Sequence, residues 1–476
     1  MLSKPFTKEK LNINWEKIDD KVSDFFYSAY YPLIVGLLVL ISFITNIPYI
    51  AMVVVLFFAG FLLVYTRDAT PILPLIFYFM FMIRDASLFS SFPFYILVSP
   101  VVVCLIIHFI KFPIKTFNLG KLFLPLVFVM IAMFLGGFFS NYIYEYASGL
   151  LYIIPLGPVL IFVYLYFANY ISYPENFNIR TYLCILLTIC GVIVSIEYSY
   201  YYLNYKVLKT TIFEGAELGW GNVNNAGYTL LYCIPATCYL IVKSKRKSNM
   251  IFYISLVIAF YWTIYMTGSG GCLLVSGVFL PVLLICVYKH LKGKKQRFFL
   301  NFIFLAIIGA LLTLIGLILI NKYHIITDLI NKEITSGGTG REKLYMGAWN
   351  LFLEAPIFGG GLGYYNHHLI FSGSYGRGHN FHSTFFQVIG CMGVAGLLAY
   401  TFYFYRRYAV IMQQKRCFNI FIYLSFTMLE CYGMVDTVEF STIPAMIIIT
   451  LMLLVTEFSS SEKKDYFKVW KPMVDQ

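Results

Sequence analysis

The sequence predicts an all-α polytopic membrane protein of about 12–14 transmembrane helices, with a helical loop domain on the extracytoplasmic side. Three observations carry this reading. Only 12% of the 476 residues are charged, while 60% are hydrophobic; soluble domains average about 25% charged residues. Mean hydropathy is +0.76, and the shortage of charge runs along the whole chain. Apolar stretches of about 20 residues, enough to cross the hydrocarbon core, recur from one end to the other between short polar links.

Candidate spans lie near residues 27–46, 48–66, 70–83, 92–111, 121–140, 147–171, 180–203, 225–243, 248–268, 270–290, 298–323, 384–405, 417–435 and 442–458. The third is short, and the division between the second and third is the least marked. Residues 1–476 thus form a single integral membrane domain with one long polar insertion at 324–383. The N-terminal stretch MLSKPFTKEKLNINWEKIDDKVSDFF has neither an early apolar run nor a small-residue cleavage site, so the first span is expected to act as the insertion signal. The ten cysteines fall almost entirely inside apolar segments without a CxxC pair. They read as small buried apolar residues rather than metal or disulfide partners.

Orientation follows from lysine and arginine in the short loops. Four links are basic: Lys111, Lys115 and Lys121; Lys243, Lys245, Arg246 and Lys247; Lys289, Lys292, Lys294, Lys295 and Arg297; and Arg406, Arg407, Lys415 and Arg416. Counting spans puts all four on one side, with both chain ends, which makes that side cytoplasmic. The net charge of +12 is thereby largely an orientation signal, and no nucleic-acid partner is expected. The opposite side receives the links near 84–91, 204–224 and 436–441, a tight turn at 268–270, and the long loop.

The long loop has an internal plan. Thr339 followed by Glu342 has the capping-box spacing, and Leu344, Ala348, Leu351, Phe352 and Ala355 recur with helical period before Pro356. An amphipathic helix over 340–355 is predicted, resting on the membrane bundle with Arg341 in its first turn. Gly359-Gly360-Gly361-Leu362-Gly363 matches neither the phosphate loop nor the dinucleotide fingerprint. It is either a tight turn or a place where backbone approaches a ligand. The loop ends on Arg377, His379, Asn380 and His382, and five of the seven histidines lie in it, including His324, His367 and His368. Histidine exchanges protons near neutrality, and Arg341 and Arg377 can hold phosphate oxygens in bidentate fashion. The alternative is an ordinary solvated loop. His379-x-x-His382 lacks a third ligand at metal-binding spacing, so no metal is expected.

Further polar groups face the same side. Trp220, Asn222, Asn224 and Asn225 precede the eighth span; one asparagine can cap that helix, and the others can bind sugar hydroxyls. Arg84 is either the partner of Asp85 or a further phosphate contact. Glu197 and Glu430 lie within spans, where a carboxylate is expensive enough to suggest a function, unless either lies near an interface.

The order Arg341, Trp349, Pro356-Ile-Phe-Gly359-Gly-Gly-Leu-Gly363, His379-Asn380, Gly390, Gly393-Val-Ala-Gly396 resembles the superfamily of O-antigen ligases and Wzy-type polysaccharide polymerases. Gly221-Asn222-Val-Asn224-Asn225 resembles that family's upstream Gly-Asn-x-Asn element. The resemblance covers residues 215–405 or so. One departure stands out: the family often carries Ser-Arg-Gly where this chain has Ser269-Gly270-Gly271, so diphosphate binding would pass to Arg84, Arg341 or Arg377.

The resemblance implies a glycosyltransferase in the bacterial cytoplasmic membrane, acting on its outer face without metal, nucleotide sugar or other cofactor. The donor would be a glycan on undecaprenyl diphosphate. The acceptor would be a sugar of another lipid-linked repeat (polymerase) or another acceptor such as lipid A core (ligase). His379 would be the base or acceptor-orienting group, with His382 second. Arg341, Arg377 and Arg84 would hold diphosphate, and Trp220, Asn222, Asn224, Asn225 and Asn380 would hold glycan. A flippase and a chain-length regulator of the same pathway are implied partners. Lys-, Asn-, Ile- and Tyr-rich usage suggests an AT-rich source lacking lipid A, which favours polymerase. The rival of a different class is a flippase for the same lipid-linked glycan.

Overall fold

The computed structural model describes residues 15–84, 92–141, 143, 146–174, 177–205, 218, 221–319, 341–364, 381–414, 416–440 and 443–458. Among these no strand occurs. The helices are α1 (Trp15–Phe26), α2 (Tyr30–Thr45), α3 (Pro48–Tyr65), α4 (Leu73–Tyr78), α5 (Phe92–Lys111), α6 (Phe123–Leu135), α7 (Tyr146–Ile154) and α8 (Leu160–Tyr170). They continue as α9 (Ile179–Tyr205), α10 (Val223–Lys243), α11 (Lys247–Thr267), α12 (Gly270–His290), α13 (Lys294–Leu319), α14 (Arg341–Glu354), α15 (Thr384–Met412), α16 (Cys417–Gly433) and α17 (Ile443–Phe458). Among the described residues eight segments are long and apolar enough to cross a membrane, and shorter apolar helices stand at Tyr30–Thr45, Thr70–Met82, Phe123–Leu135, Cys417–Gly433 and Ala445–Phe458. The chain is an all-α, multi-pass membrane protein. The second and third expected spans are separate. Between them Asp68 accepts from Thr70 N (2.9 Å), Ser172 N (2.7 Å) and the Tyr27 hydroxyl, tying three links of one face together.

α10 is the hub. It packs against α9, α11, α12 and α16 and is buried on nearly every side. Its sequence explains why: Ala226, Gly227, Thr229, Cys233, Ala236, Thr237 and Cys238 are small and let neighbouring backbones close in. Thr229 and Thr237 return their hydroxyls to the carbonyls of Asn225 and Cys233 (2.7 and 2.9 Å), so no hydroxyl is stranded in the apolar interior. Links assigned to one side also meet one another. Glu457 accepts from Lys121 N and Tyr164 OH, Arg180 donates to Gln414, and Lys295 donates to the Ser244 carbonyl.

In the long loop, α14 buries Leu344, Ala348 and Leu351 against α15 and stops ahead of Pro356. Thr339, the expected cap, lies outside the described residues. The glycine run then threads into a break in α15. Gly393 has φ 60° and ψ −150° inside that helix. Val394 N and Ala395 N donate to the carbonyls of Pro356 and Ile357, and Gly360 N and Gly361 N donate to those of Gly390 and Cys391 (2.9–3.0 Å). A Cβ on Gly359 (φ +65°) would sit 2.3 Å from the Cys391 carbonyl carbon, and one on Gly393 would sit 2.5 Å from the Pro356 carbonyl oxygen. The run packs its backbone on the backbone of the broken helix.

Candidate functional site

The starts of α10, α12, α14 and α15 and the ends of α11 and α16 meet in one corner of the bundle, and the corner builds up from α10. Asn222 caps α10, its side chain accepting from Asn225 N at 3.1 Å. One turn further on, a Cβ on Gly227 would touch Cys272 and Ser269, so the start of α10 abuts the α11–α12 turn. Across that turn, a Cβ on Gly271 would meet Tyr432 and Val435, each at 3.0 Å. Gly270, where the family often has arginine, therefore lies beside the end of α16.

The link after α16 carries the central contact. Asp436 Oδ1 lies 3.3 Å from His382 Nδ1 and accepts from Thr437 N at 2.8 Å, while its Oδ2 accepts from Tyr432 OH at 2.8 Å. Burial pushes the Asp436 carboxyl up, but the bonds from His382, Tyr432 and the Thr437 amide outweigh it and hold the group below the ordinary carboxylate range. Asp436 is thus a carboxylate, fixed by three donors, with one aimed at an imidazole.

His382 is held from the backbone side as well. It sits at φ 49°, a region that non-glycine residues enter rarely and often at functional positions. The flanking bonds impose it: Phe381 N donates to Gln387 Oε1 (3.0 Å), and Thr384 N donates to the Asp436 carbonyl (3.1 Å). The His382 carbonyl accepts from Tyr345 OH at 3.2 Å. His382 and Asp436 are 31% and 15% exposed, so the pair is packed in place yet reachable.

Tyr345 joins this pair to a groove of about 680 Å³ lined by Arg341, Tyr345, Trp349, Phe385, Phe386 and Val435 among others. The Tyr345 and Phe386 rings stack at 4.5 Å. Its lining is largely aromatic and carries both Arg341 and Glu342; Arg341 has no hydrogen-bond or ion-pair partner among the described residues. The first turns of both α14 and α15 contribute to its lining, so amide-rich, positively polarised helix ends lie beside it. A site of this form suits an amphiphile with an apolar tail and an anionic head.

Residues 254–401 match the O-antigen ligase family. The matched stretch runs from α11 through the α11–α12 turn, the long loop and α14 into the broken α15, and so contains Arg341 and His382. The match supports the O-antigen ligase and polymerase superfamily and, with the apolar helices, a membrane glycan-transfer role on lipid-linked substrates. No curated protein matches the chain significantly.

The segment that matches the family thus carries Arg341, which lines the groove, and His382, which Tyr345 ties to it, and α10 sets Asn222 and Asn225 behind the neighbouring turn. Asn222 is engaged as the helix cap, Asn225 is buried and Asn224 is half-buried. Arg84 is engaged elsewhere: it donates to the Ile44 carbonyl (2.9 Å) and lies over Phe43 and Tyr200, so it serves the α2–α9 packing. Trp220, Arg377, His379 and Asn380 lie outside the described residues, as do Asp85, His324, His367 and His368. Among the described residues no group of three histidine, cysteine or acidic side chains is placed to hold a metal ion. Sequence reasoning passed over Asp436, Tyr432 and Tyr345. The one available pointer was that Asp436 lies in a short link on the histidine-bearing side.

Proposed function

We propose that the protein is a metal-independent glycosyltransferase that polymerises undecaprenyl-diphosphate-linked oligosaccharide repeats on the outer face of a bacterial cytoplasmic membrane. The single observation that carries the reading is the His382–Asp436 pair, tied through Tyr345 to a largely aromatic groove that Arg341 also lines. In this reading the groove takes the first isoprene units of the donor, and Arg341 takes its diphosphate. His382 accepts the proton of the acceptor sugar hydroxyl as that oxygen attacks the anomeric carbon. The diphosphate leaves with the bonding pair, and its growing charge is met by Arg341 and the helix ends. Asp436 holds the imidazole in orientation and favours its charged form, the role a buried carboxylate plays behind a histidine base. His379 and Arg377 remain proposed as a second base and a second diphosphate contact, and Asn224, Asn225, Asn380 and Trp220 as glycan contacts.

A cavity at the bundle mouth built around a loop helix favours transfer over flipping, because a flippase needs its ionisable groups along a path through the bundle. Gene deletion tests the reading and separates its two forms. Loss of a polymerase leaves single-repeat surface glycan, and loss of a ligase leaves long chains still on the lipid. Lipid-linked repeats retained inside the cell would instead indicate a flippase and overturn the proposal.

A further inference from the structure

Arg407 is the largest fully buried charged side chain, 1% exposed on α15. It is bound by two carboxylates from different elements: Glu430 of α16, and Glu439 of the link after α16 at 2.9 Å. Its guanidinium also lies over the Tyr403, Phe404 and Phe426 rings at 4.4–5.3 Å. Taking three charges out of water is expensive, and apolar packing would hold two helices as well. What this cluster does that apolar packing would not is fix one acidic residue of a short link at one place.

That link is the one that carries Asp436. Asp436 and Glu439 are three residues apart, and α15 grips both: Thr384 donates to the Asp436 carbonyl at one end, and Arg407 binds Glu439 at the other. A straight α15 would separate Thr384 from Arg407 by about 34 Å, whereas three residues of link span at most about 11 Å. The break at Gly393 lies between the two grips. Phe440 against Tyr400, rings 5.7 Å apart, closes the same contact.

We infer that Arg407 is a positioning residue for the transfer reaction: through Glu439 it sets the link that presents Asp436 to His382. The inference rests on the reading of His382 as the reacting histidine. It is tested with the full-length protein in lipid nanodiscs, following glycan transfer from a polyprenyl-diphosphate-linked donor. Glu439→Gln keeps the shape of the side chain and removes its charge. The expected result is a fall in kcat of about 10-fold at unchanged KM, since small misplacement of a reacting group has effects of this size or larger. In an Asp436→Asn background the same substitution is expected to change kcat by less than about 2-fold, because residues acting through one another are not additive. Arg407→Lys is expected to retain more kcat than Arg407→Met at equal folded yield. Equal fold-losses from Glu439→Gln in both backgrounds would overturn the inference, as would losses that track folded yield alone. Retention of transfer by His382→Ala marks instead a failure of the underlying functional reading.

Discussion

His382 is the residue on which the proposed chemistry converges, and the contact with Asp436 Oδ1 at 3.3 Å makes Asp436 its companion in that proposal. The Asp436 carboxyl is held below the ordinary carboxylate range, so it stays ionised down to below about pH 4. Its stabilising contribution is full above its unfolded value and is lost only as pH falls through the lowered one. A loss of transfer on acidification from about pH 7 to 5 therefore does not report protonation of Asp436. Asp436→Asn keeps the size of the side chain and removes the charge facing Nδ1. It is expected to lower kcat by about 10- to 100-fold with folded yield preserved, up to the lower end of the about 100- to 10,000-fold that a general base contributes, and steady-state kinetics of the purified variant measures it. This contact was not legible in the sequence. Asp436 lies 54 positions after His382, and neither periodicity nor spacing relates a loop end to the link two helices later. Arg84 shows the reverse: its charge and side of the membrane suggested phosphate, and only the Ile44 carbonyl and the Phe43 and Tyr200 rings reveal a packing role.

At the scale of elements, the loop helix was readable and the broken helix was not. Leu344, Ala348 and Leu351 fall on one face of α14 and are the buried residues, so a 3.6-residue period sufficed to place the helix within a residue of its observed ends. In α15 Gly390, Gly393 and Gly396 all weaken the helix locally, but the spacing does not single out Gly393 as the break. It exists because the Pro356–Gly361 backbone supplies the bonding partners that the interrupted helix gives up. Gly393→Ala should then be severe. The new Cβ would lie 2.5 Å from the Pro356 carbonyl oxygen at a φ of +60°, and backbone strain of this kind costs on the order of 1–3 kcal/mol before any clash is counted. A lowered thermal midpoint in detergent, with the groove-lining Trp349 fluorescence altered, is the expected outcome; Gly309→Ala, with open space at its Cβ, is expected to behave as wild type.

For the whole molecule, composition alone established the membrane class, because 12% charged residues over 476 positions cannot be solvated as a soluble surface. Contacts such as Lys121 with Glu457 and Lys295 with Ser244 join links expected on one side, but Arg407, expected with them, lies inside α15 and binds Glu439 of the link expected on the opposite side. What the pattern of spans could not convey is which helix ends converge. The α10 start, the α11–α12 turn, α14, the first turn of α15 and the end of α16 meet only because α10 is small-faced enough to sit at the centre. Function then belongs to the convergence and not to the long loop alone: the loop supplies Arg341 and His382, and the far link supplies Asp436. The most direct test of this account is transfer by purified His382→Ala protein, reconstituted in lipid and given polyprenyl-diphosphate-linked repeats. The account predicts a ladder of glycan lengths from wild type and none from the folded variant; an undiminished ladder from His382→Ala would contradict it.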